Sequence, residues 1–315
     1  MGFQSIVAQL DLPNQCKKYG LPLWQCPQFL FLVMGVIIII SSLSAYAIGT
    51  RFIDDPLIVA MVVIALTIVL LIVASAIVQS FDRLAAANKM KSEFVSVVSH
   101  QLRSPLSNLK WAIEFLMSGK LGKVEEKQAE YLQILKENSA RMQELVSDLL
   151  TVSRIETAKL PVIKQEFSLE DLARDLVSRA EPFAKASNVE IRFQFEAGLP
   201  KVFSDPRQIQ QAIENLLDNA VRYVRNNGVV ELKLSQRNGS LRVEIKDNGV
   251  GIPAADQKYI FQKFFRSENA LRYQTQGSGL GLYISKAIIE KAGGEIGFSS
   301  QEGKGSTFWI TLPIK

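Results

Sequence analysis

Histidine and cysteine are scarce in this chain. His100 is its single histidine, and Cys16 and Cys26, ten residues apart, are its only cysteines. A zinc site built on these cysteines has no nearby histidine to complete it. In a reducing cytoplasm both are most simply free thiols. A zinc module is therefore not expected.

The chain also lacks a basic cluster. Its net charge of +5 is modest, and its lysines and arginines are dispersed rather than gathered into a patch. Proteins that bind DNA or RNA concentrate these residues on one face. We expect no direct nucleic-acid binding.

Charge is absent from two long stretches near the N-terminus. Hydrophobic residues make up 48% of the chain, and the excess falls in its first quarter. Residues 29–48 and 56–80 are long and apolar enough to cross a bilayer as helices, whereas the seven residues 49–55 between them are too few for an external sensor domain. These stretches predict a transmembrane α-helical hairpin in contact with membrane lipids. A cleaved signal peptide is the competing interpretation of the first stretch, but that stretch is too long, begins too late and is followed by a second span.

The flanking positive charges predict the orientation of this hairpin. Lys17 and Lys18 precede the first span, and Arg83, Lys89 and Lys91 follow the second. Because positive residues stay on the cytoplasmic side, both termini are expected in the cytoplasm. The chain is thus predicted to be a multi-pass protein of the cell membrane.

The segment after the second span has the pattern of two amphipathic helices. It contains no proline or glycine until Pro105, so the second span is expected to continue as a helix. Apolar residues then recur at three-and-four spacing on both sides of a turn at residues 118–124. The stripes are Val95, Val98, Leu102, Leu106, Leu109, Ile113 and Leu116, then Leu132, Leu135, Met142, Leu145, Leu149 and Val152. One antiparallel helical hairpin buries two such stripes poorly, so a homodimer with a four-helix bundle is expected.

His100 is expected to point away from the core of that bundle. On a helical wheel it lies opposite the first apolar stripe, and Ser104, one turn later, points the same way. Pro105 removes a backbone hydrogen bond there, which predicts a local bend. A lone histidine without chemistry is the ordinary interpretation, and only the motifs that follow favour a catalytic one.

The rest of the chain mixes helices and strands. Helices are expected at residues 168–186 and 206–224, and strands at residues 190–195, 229–235, 241–245, 295–299 and 306–312. Asn238 and Gly239 give a strong hairpin signal between two of the strands. The pattern predicts an α+β sandwich, in which helices cover one mixed sheet.

Two asparagines in this region are candidate metal ligands. Asn215 and Asn219 stand four residues apart, so their amides share one helix face and can offer oxygens to Mg²⁺. Arg222 adds positive charge near the same face. Alone, the asparagines are equally well explained as polar residues of a helix surface.

Three glycines further along are candidate phosphate contacts. Gly277, Gly279 and Gly281 precede a helix whose N-terminal amides can hold phosphate oxygens. Alone, they are equally well explained as an ordinary loop. Together with the asparagines and the Asp247-Asn-Gly sequence, they indicate an ATP site.

In this order the motifs resemble those of bacterial two-component sensor histidine kinases, over roughly residues 82–315. That family joins a dimerisation domain to an ATP-binding domain of the GHKL (Bergerat) type shared with DNA gyrase. The resemblance implies that His100 accepts the γ-phosphoryl group of ATP, with Mg²⁺ as cofactor. It also implies transfer onward to an aspartate of a response regulator, which docks on the outer surface of the helical hairpin.

The resemblance also assigns roles to individual residues. Asn219 and Asn215 bind Mg²⁺, Asp247 accepts a hydrogen bond from the adenine amino group, and residues 268–276 form a flexible lid. The implied nucleotide-binding residues are Asn215, Asn219, Arg222, Tyr223, Asp247, Gly249, Gly251, Lys263, Phe265, Arg266, Gly277, Gly279, Leu280, Gly281 and Thr307.

The expected organisation follows the order of the chain. It comprises a cytoplasmic segment at 1–28, spans at 29–48 and 56–80, an external loop at 49–55, a dimerisation and phosphotransfer domain at 81–158, a linker at 159–167 and a catalytic domain at 168–315.

Two residues depart from the family pattern. The family most often has an acidic residue after the histidine, where this chain has Gln101. Its amide oxygen can accept the Nδ1 proton but cannot take up a proton, so slower transfer is expected. Ser104 stands where Thr or Asn is usual in members that also dephosphorylate their partner, and its hydroxyl could orient a water.

Two other functions remain open from the sequence. One is a membrane-bound ATP-binding regulator without phosphoryl transfer. The other is a gyrase-like ATPase, for which Glu214 is the only base available in the nucleotide domain. The stimulus is equally open, since sensing could occur in the bilayer, at its surface or through another membrane protein. Whether transfer runs within a subunit or across the dimer is open too.

Overall fold

The computed structural model describes residues 27–157, 160–224, 227–267 and 277–314. The helices are α1 (Pro27–Phe52), α2 (Pro56–Met117), α3 (Glu126–Glu156), α4 (Leu169–Ala186), α5 (Pro206–Tyr223) and α6 (Gly281–Lys291). The strands are β1 (Gln165–Phe167), β2 (Val189–Phe195), β3 (Val202–Ser204), β4 (Gly228–Arg237), β5 (Ser240–Asp247), β6 (Glu295–Gln301) and β7 (Gly305–Pro313). They fall into two compact units, Met1–Leu102 with Ser153–Leu160, and Arg103–Val152 with Pro161–Lys315.

Two helices of the first unit are long and apolar enough to span a membrane, at Phe29–Phe52 and Pro56–Leu84. α1 continues past the expected end at residue 48, so the connection shrinks to residues 53–55. The Asp55 carboxylate accepts a hydrogen bond from the backbone N–H of Leu57 (2.9 Å), which caps the start of α2. The hydroxyls of Ser42 and Thr67 lie 2.8 Å apart and join the two helices. In an apolar environment such a pair stabilises helix contact.

α2 is a single helix of 62 residues that contains Pro105 in its interior. The expected continuation of the second span as a helix is therefore present. After a turn, α3 runs back alongside the last part of α2. Within the second unit, Ile113 of α2 and Val146 and Leu150 of α3 are buried. These contacts form the expected helical hairpin.

Much of the apolar surface of this hairpin stays uncovered in the single chain. Six residues of the two expected stripes remain between 40% and 49% exposed, namely Leu102, Leu109, Leu116, Leu135, Met142 and Leu145. Burial of such side chains on association is favourable. These positions are therefore available to another polypeptide.

The second unit contains a five-stranded mixed sheet in the order β2-β4-β5-β7-β6. β2 and β4 are parallel, and the other pairs are antiparallel. Helices α4, α5 and α6 supply the apolar layer that packs with the buried residues of the strands. The largest buried side chains are Leu169, Ile209, Ile213, Leu216, Leu217, Leu232, Leu234, Leu241, Ile245, Leu280, Ile284 and Ile288. This arrangement confirms the expected α+β sandwich.

The turn between β4 and β5 follows the sequence signal. Asn238 and Gly239 have φ values of +47° and +75°, the left-handed conformation that a tight two-residue hairpin requires. Arg237 and Ser240 are the last paired residues before the turn.

One short pairing was not expected. β1, which lies inside the expected linker, pairs antiparallel with β3 as a separate two-stranded sheet. Asp205 supports this connection, because its Oδ2 accepts a hydrogen bond from the backbone N–H of Ile163 (2.8 Å) while its Oδ1 caps α5. The linker is therefore fastened to the start of α5.

Leu216 on α5 is buried in the core, with 1% of its surface exposed, so its truncation should strongly destabilise the protein. Leu216→Ala should lower the free energy of unfolding by about 2–5 kcal/mol, because it removes buried methyl groups and leaves a cavity. Thermal unfolding of the detergent-solubilised protein, followed by fluorescence, measures the effect. Arg207→Ala, at an exposed position of the same helix, is the matched control and should leave the transition in place. Equal transitions for both variants would contradict the packing described here.

Candidate nucleotide-binding site

The second unit contains a cavity of about 830 Å³. It lies between α5, the segment after β5, the loop that leads into α6, and one face of α3. The expected nucleotide-binding residues that line it are Asn215, Asn219, Arg222, Tyr223, Asp247, Gly251, Phe265, Arg266, Gly277, Gly279 and Gly281. Motifs far apart in the sequence are thus brought to one place.

Asp247 ends β5 and is only 7% exposed. Its Oδ1 accepts hydrogen bonds from the backbone N–H groups of Gly249 (2.8 Å) and Ser306 (3.1 Å). Both bonds end on one oxygen, which leaves Oδ2 for a ligand. Burial raises the pKa of Asp247 to about 6, against the opposing effect of the two amides. The carboxylate is therefore ionised at neutral pH and can accept a hydrogen bond from an amino group.

Gly251 and Gly279 are required by close backbone approaches. A Cβ on Gly251, at φ +66°, would lie 2.0 Å from the carbonyl oxygen of Gln301. A Cβ on Gly279, at φ +68°, would lie 2.9 Å from the backbone of Phe264. Side chains at either position would push the loops apart. Both glycines therefore fix the shape of the cavity wall.

Asn215 ties two helices together at the other end of the cavity. Its amide nitrogen donates to the carbonyl oxygen of Gly281 (3.2 Å) and to the hydroxyl of Ser285 (3.3 Å). The start of α6 is thus held against α5. Asn219 lies one turn further along α5 and also lines the cavity.

Two arginines supply positive charge in the cavity lining. Arg222 lies 3.8 Å from Asp218 and over the ring of Phe183 at 5.8 Å. Arg266 donates through Nη1 to the carbonyl oxygen of Gly277 (3.3 Å), at the start of the glycine loop. Both guanidinium groups belong to segments that surround the expected phosphate position.

Four expected nucleotide-binding residues do not line the cavity. Lys263 places its amine over the ring of Tyr283 at 5.0 Å, and Leu280 is packed in the core. Thr307 pairs with Lys246 and Ser299 within the sheet. The fourth, Gly249, contributes its amide to Asp247. The expected lid at residues 268–276 lies outside the described residues.

Sequence reasoning missed several residues of the site. Ser306 orients Asp247, although the sequence pointed to its neighbour Thr307. The whole α3 wall was missed because its three-and-four spacing had been explained by the helical hairpin. Its lining residues are Glu137, Ala140, Arg141, Glu144, Leu145 and Asp148.

The donor set suits a magnesium ion held jointly with phosphate. Across the described ranges, no group of three or more histidine, cysteine or acidic side chains is placed to hold a metal. The amide oxygen of Asn219 is a hard ligand of the kind that Mg²⁺ accepts alongside phosphate and water. The amide nitrogen of Asn215 is occupied, so its oxygen is the atom that remains for such an ion.

The three residues expected to take part in phosphoryl transfer belong to α2. His100, Gln101 and Ser104 are all exposed to solvent. Leu102, on the expected inward stripe, is also exposed in the single chain, so the outward direction of His100 stays a prediction. An exposed imidazole is accessible to a second reactant.

Two family models match the chain. The model described as "Histidine kinase-, DNA gyrase B-, and HSP90-like ATPase" matches residues 204–315, and the model of the "His Kinase A (phospho-acceptor) domain" matches residues 90–158. The fold and the cavity therefore define an ATPase domain of this type, joined to a phosphoacceptor helical hairpin.

Known proteins are similar to this chain over part of its length. Sensor protein GacS of Pseudomonas syringae pv. syringae is 33% identical over 233 residues, which cover 72% of this chain and 25% of GacS. Sensor protein kinase WalK of Staphylococcus aureus is 35% identical over 231 residues, which cover 71% of this chain and 54% of WalK. The crystal structure of full-length ShkA in complex with AMPPNP has a TM-score of 0.59 at 27% identity, over 70% of this chain and 45% of ShkA.

The chain spans between about a quarter and about half of the length of these relatives. It belongs to the histidine kinase family.

The pKa of Asp247 predicts how nucleotide affinity depends on pH. If adenine binds the ionised carboxylate, as the resemblance implies, protonation competes with binding as the pH falls through about 6. Between pH 7.5 and pH 5, the affinity should fall by about tenfold. Titration with a fluorescent ATP analogue measures it. Tripolyphosphate, which has no adenine, controls for protonation of the phosphates, and an equal loss of affinity for it would contradict the assignment.

Asp247→Asn should replace the hydrogen-bond acceptor that faces adenine with a donor. Because two N–H groups face the Oδ1 position, the asparagine oxygen must stay there and its NH₂ group must take the place of Oδ2. A donor would then face the adenine amino group, and affinity should fall at least about tenfold. Asp256→Asn, at a half-buried carboxylate outside the cavity, is the control. Unchanged binding of nucleotide by Asp247→Asn would show that adenine is not held there.

Proposed function

We propose that this chain is a membrane sensor histidine kinase. It uses Mg-ATP to phosphorylate His100 and passes the phosphoryl group to an aspartate of a response regulator. The observation that carries the proposal is the single cavity that contains Asp247, the two asparagines and the glycine loop, in a chain that also exposes His100 on a phosphoacceptor helix.

The adenine end of the site is formed around Asp247. Its Oδ2 accepts a hydrogen bond from the adenine amino group, while Ile252 and Ile260 offer apolar contact to the base. Tyr223 lies beside the nucleotide. The rigid support of Oδ1 makes this contact selective for a base with an amino group.

The phosphate end is formed by α5 and the loop before α6. Amides at the start of α6 point toward the phosphates, and the glycines of the loop allow close approach. Asn219 and Asn215 hold Mg²⁺, which when bound offsets phosphate charge. Arg222 and Arg266 add further positive charge.

Transfer itself requires little more than positioning. The Nε2 lone pair of the neutral imidazole of His100 attacks the γ-phosphorus in line. An N–P bond forms, the bond to the β–γ bridging oxygen breaks, and ADP leaves with the electron pair. The Gln101 amide oxygen accepts a hydrogen bond from the Nδ1 proton, which then passes to solvent because an amide is not a base. Ser104 lies one turn away, and its hydroxyl orients a water for hydrolysis of the phosphoryl group on the response regulator, which releases inorganic phosphate.

The exposed apolar residues of α2 and α3 support a homodimer. A second copy would cover Leu109 and Met142 and their neighbours in a four-helix bundle. Family membership supports the response regulator as the acceptor of the phosphoryl group. The apolar helices support a multi-pass location in the cell membrane with cytoplasmic catalytic domains.

Autophosphorylation tests the function directly. The full chain in lipid nanodiscs should incorporate label from γ-labelled ATP with Mg²⁺ as an acid-labile, alkali-stable adduct. His100→Gln and Asn219→Ala should both abolish the label, whereas Asn138→Ala, at an exposed asparagine of α3 outside the cavity, should retain it. Nucleotide binding without label on His100 would instead establish an ATP-binding regulator.

The proposed four-helix bundle predicts that a charged side chain in its apolar interface disrupts the dimer. Leu109→Glu should convert dimers to monomers, because it buries a carboxylate in an apolar interface. Light scattering of the detergent-solubilised chain gives the mass. Lys110→Glu introduces the same side chain at the next position, on the exposed polar side of α2, and should remain dimeric. A dimer that tolerates Leu109→Glu would place the interface elsewhere.

A further inference from the structure

One face of α3 forms a wall of the nucleotide cavity. The helix contributes six residues to the lining, at three-and-four spacing, and three of them, Glu137, Glu144 and Asp148, are acidic, whereas Arg141 is the single cation of the six. A nucleotide triphosphate is strongly anionic. Like charges at short range repel in a partly enclosed site. The negative charge of α3 therefore disfavours binding of a nucleotide triphosphate, whereas the other residues of the cavity suit it.

Asp148 is bonded to the loop that receives the phosphates. The hydroxyl of Ser278 donates to Asp148 Oδ2 at 2.9 Å and accepts from the backbone N–H of Leu280 at 3.2 Å. Ser278 lies between Gly277 and Gly279. A side chain of α3 thus holds the same loop that is proposed to wrap the phosphates.

The ionised forms of the Asp148 and Asp218 carboxylates are already disfavoured by their surroundings. Burial raises the pKa of Asp148, the hydrogen bond from Ser278 lowers it, and Glu144 raises it further. Burial also raises the pKa of Asp218 on α5, which Arg222 lowers and Glu144 and Glu214 raise. Negative charge is therefore concentrated between α3 and α5, and phosphates would add to it.

We propose that Asp148 and Ser278 form an autoinhibitory contact, through which α3 competes with the phosphates of ATP for the loop at residues 277–281. The proposal rests on the nucleotide site described above and adds a regulation of that site. Docking of α3 weakens nucleotide binding, and nucleotide binding weakens docking by the same factor, because the coupling is reciprocal. A signal that displaces α3 would raise the affinity for ATP.

Removal of the contact should therefore strengthen binding. Removal of a hydrogen bond to a charged group corresponds to an affinity gain of roughly ten- to a hundredfold. Asp148→Asn removes the charge and keeps an acceptor for Ser278, whereas Asp148→Ala removes both. The gain should be larger for Asp148→Ala, and in both variants it should be larger for ATP than for adenosine.

The experiment uses the full chain in lipid nanodiscs with the non-hydrolysable β,γ-imido analogue of ATP and Mg²⁺, titrated by calorimetry. Hydrogen exchange of the peptide that contains residues 277–281 is recorded in parallel. In both Asp148 variants, exchange without nucleotide should be faster than in the wild type. Glu130→Gln removes an exposed carboxylate from α3 outside the cavity and should bind as the wild type does.

Two results separate the possible failures. If the wild type binds the analogue and the Asp148 variants bind it equally or more weakly, the autoinhibitory contact is overturned while the nucleotide site stands. If the wild type binds no analogue, the proposed function fails, and the inhibition proposed here fails with it. If Asp148→Ala does not fold, the conservative Asp148→Asn decides between the first two results.

Discussion

Two backbone amides that donate to one oxygen of Asp247 set the geometry on which the nucleotide cavity depends. They come from Gly249, just after β5, and from Ser306, at the start of β7. β5 and β7 are neighbours inside the sheet, so the carboxylate is held by the residues that follow its own strand and by the strand paired with it. The raised pKa of Asp247 is the cost of holding a charge at this buried position. An acceptor held in this way suits a ligand that presents an amino group.

A second set of polar contacts runs through the helical layer. Asn215 bonds to Gly281 and Ser285, and the hydroxyl of Ser285 donates to the carbonyl oxygen of Ala212. The start of α6 is therefore locked to α5. The loop before it is held differently, since Ser278 bonds to α3 rather than to the sheet or to α5. One end of the loop at residues 277–281 is thus fixed to α5, and the other is held by α3 and by Arg266.

Local patterns made most of the fold predictable. Period-two alternation and the Asn238-Gly239 turn defined β4 and β5, and three-and-four spacing defined α2, α3 and α5. The three-residue strand β1 was missed because so short a segment carries no periodic signal. Asp148 and Ser306 were missed for another reason. Their roles arise from contacts between segments 130 and 59 residues apart, which no local spacing encodes. Thr307 was expected from the family resemblance, whereas the backbone N–H of its neighbour Ser306 donates to Asp247, and only the register of β7 decides which amide does so.

α2 continues from a candidate membrane span past His100 with no change of secondary structure. An α-helix advances about 1.5 Å per residue, so the 44 steps from Pro56 to His100 span roughly 66 Å of one rod. Such a rod transmits an axial shift or a rotation to its far end, because absorbing it would strain every backbone hydrogen bond on the way. Pro105 has no N–H to donate to the carbonyl oxygen of Gln101, so one rung of this ladder is missing directly after His100. A torque applied to the first part of α2 therefore reaches a missing backbone hydrogen bond directly after His100.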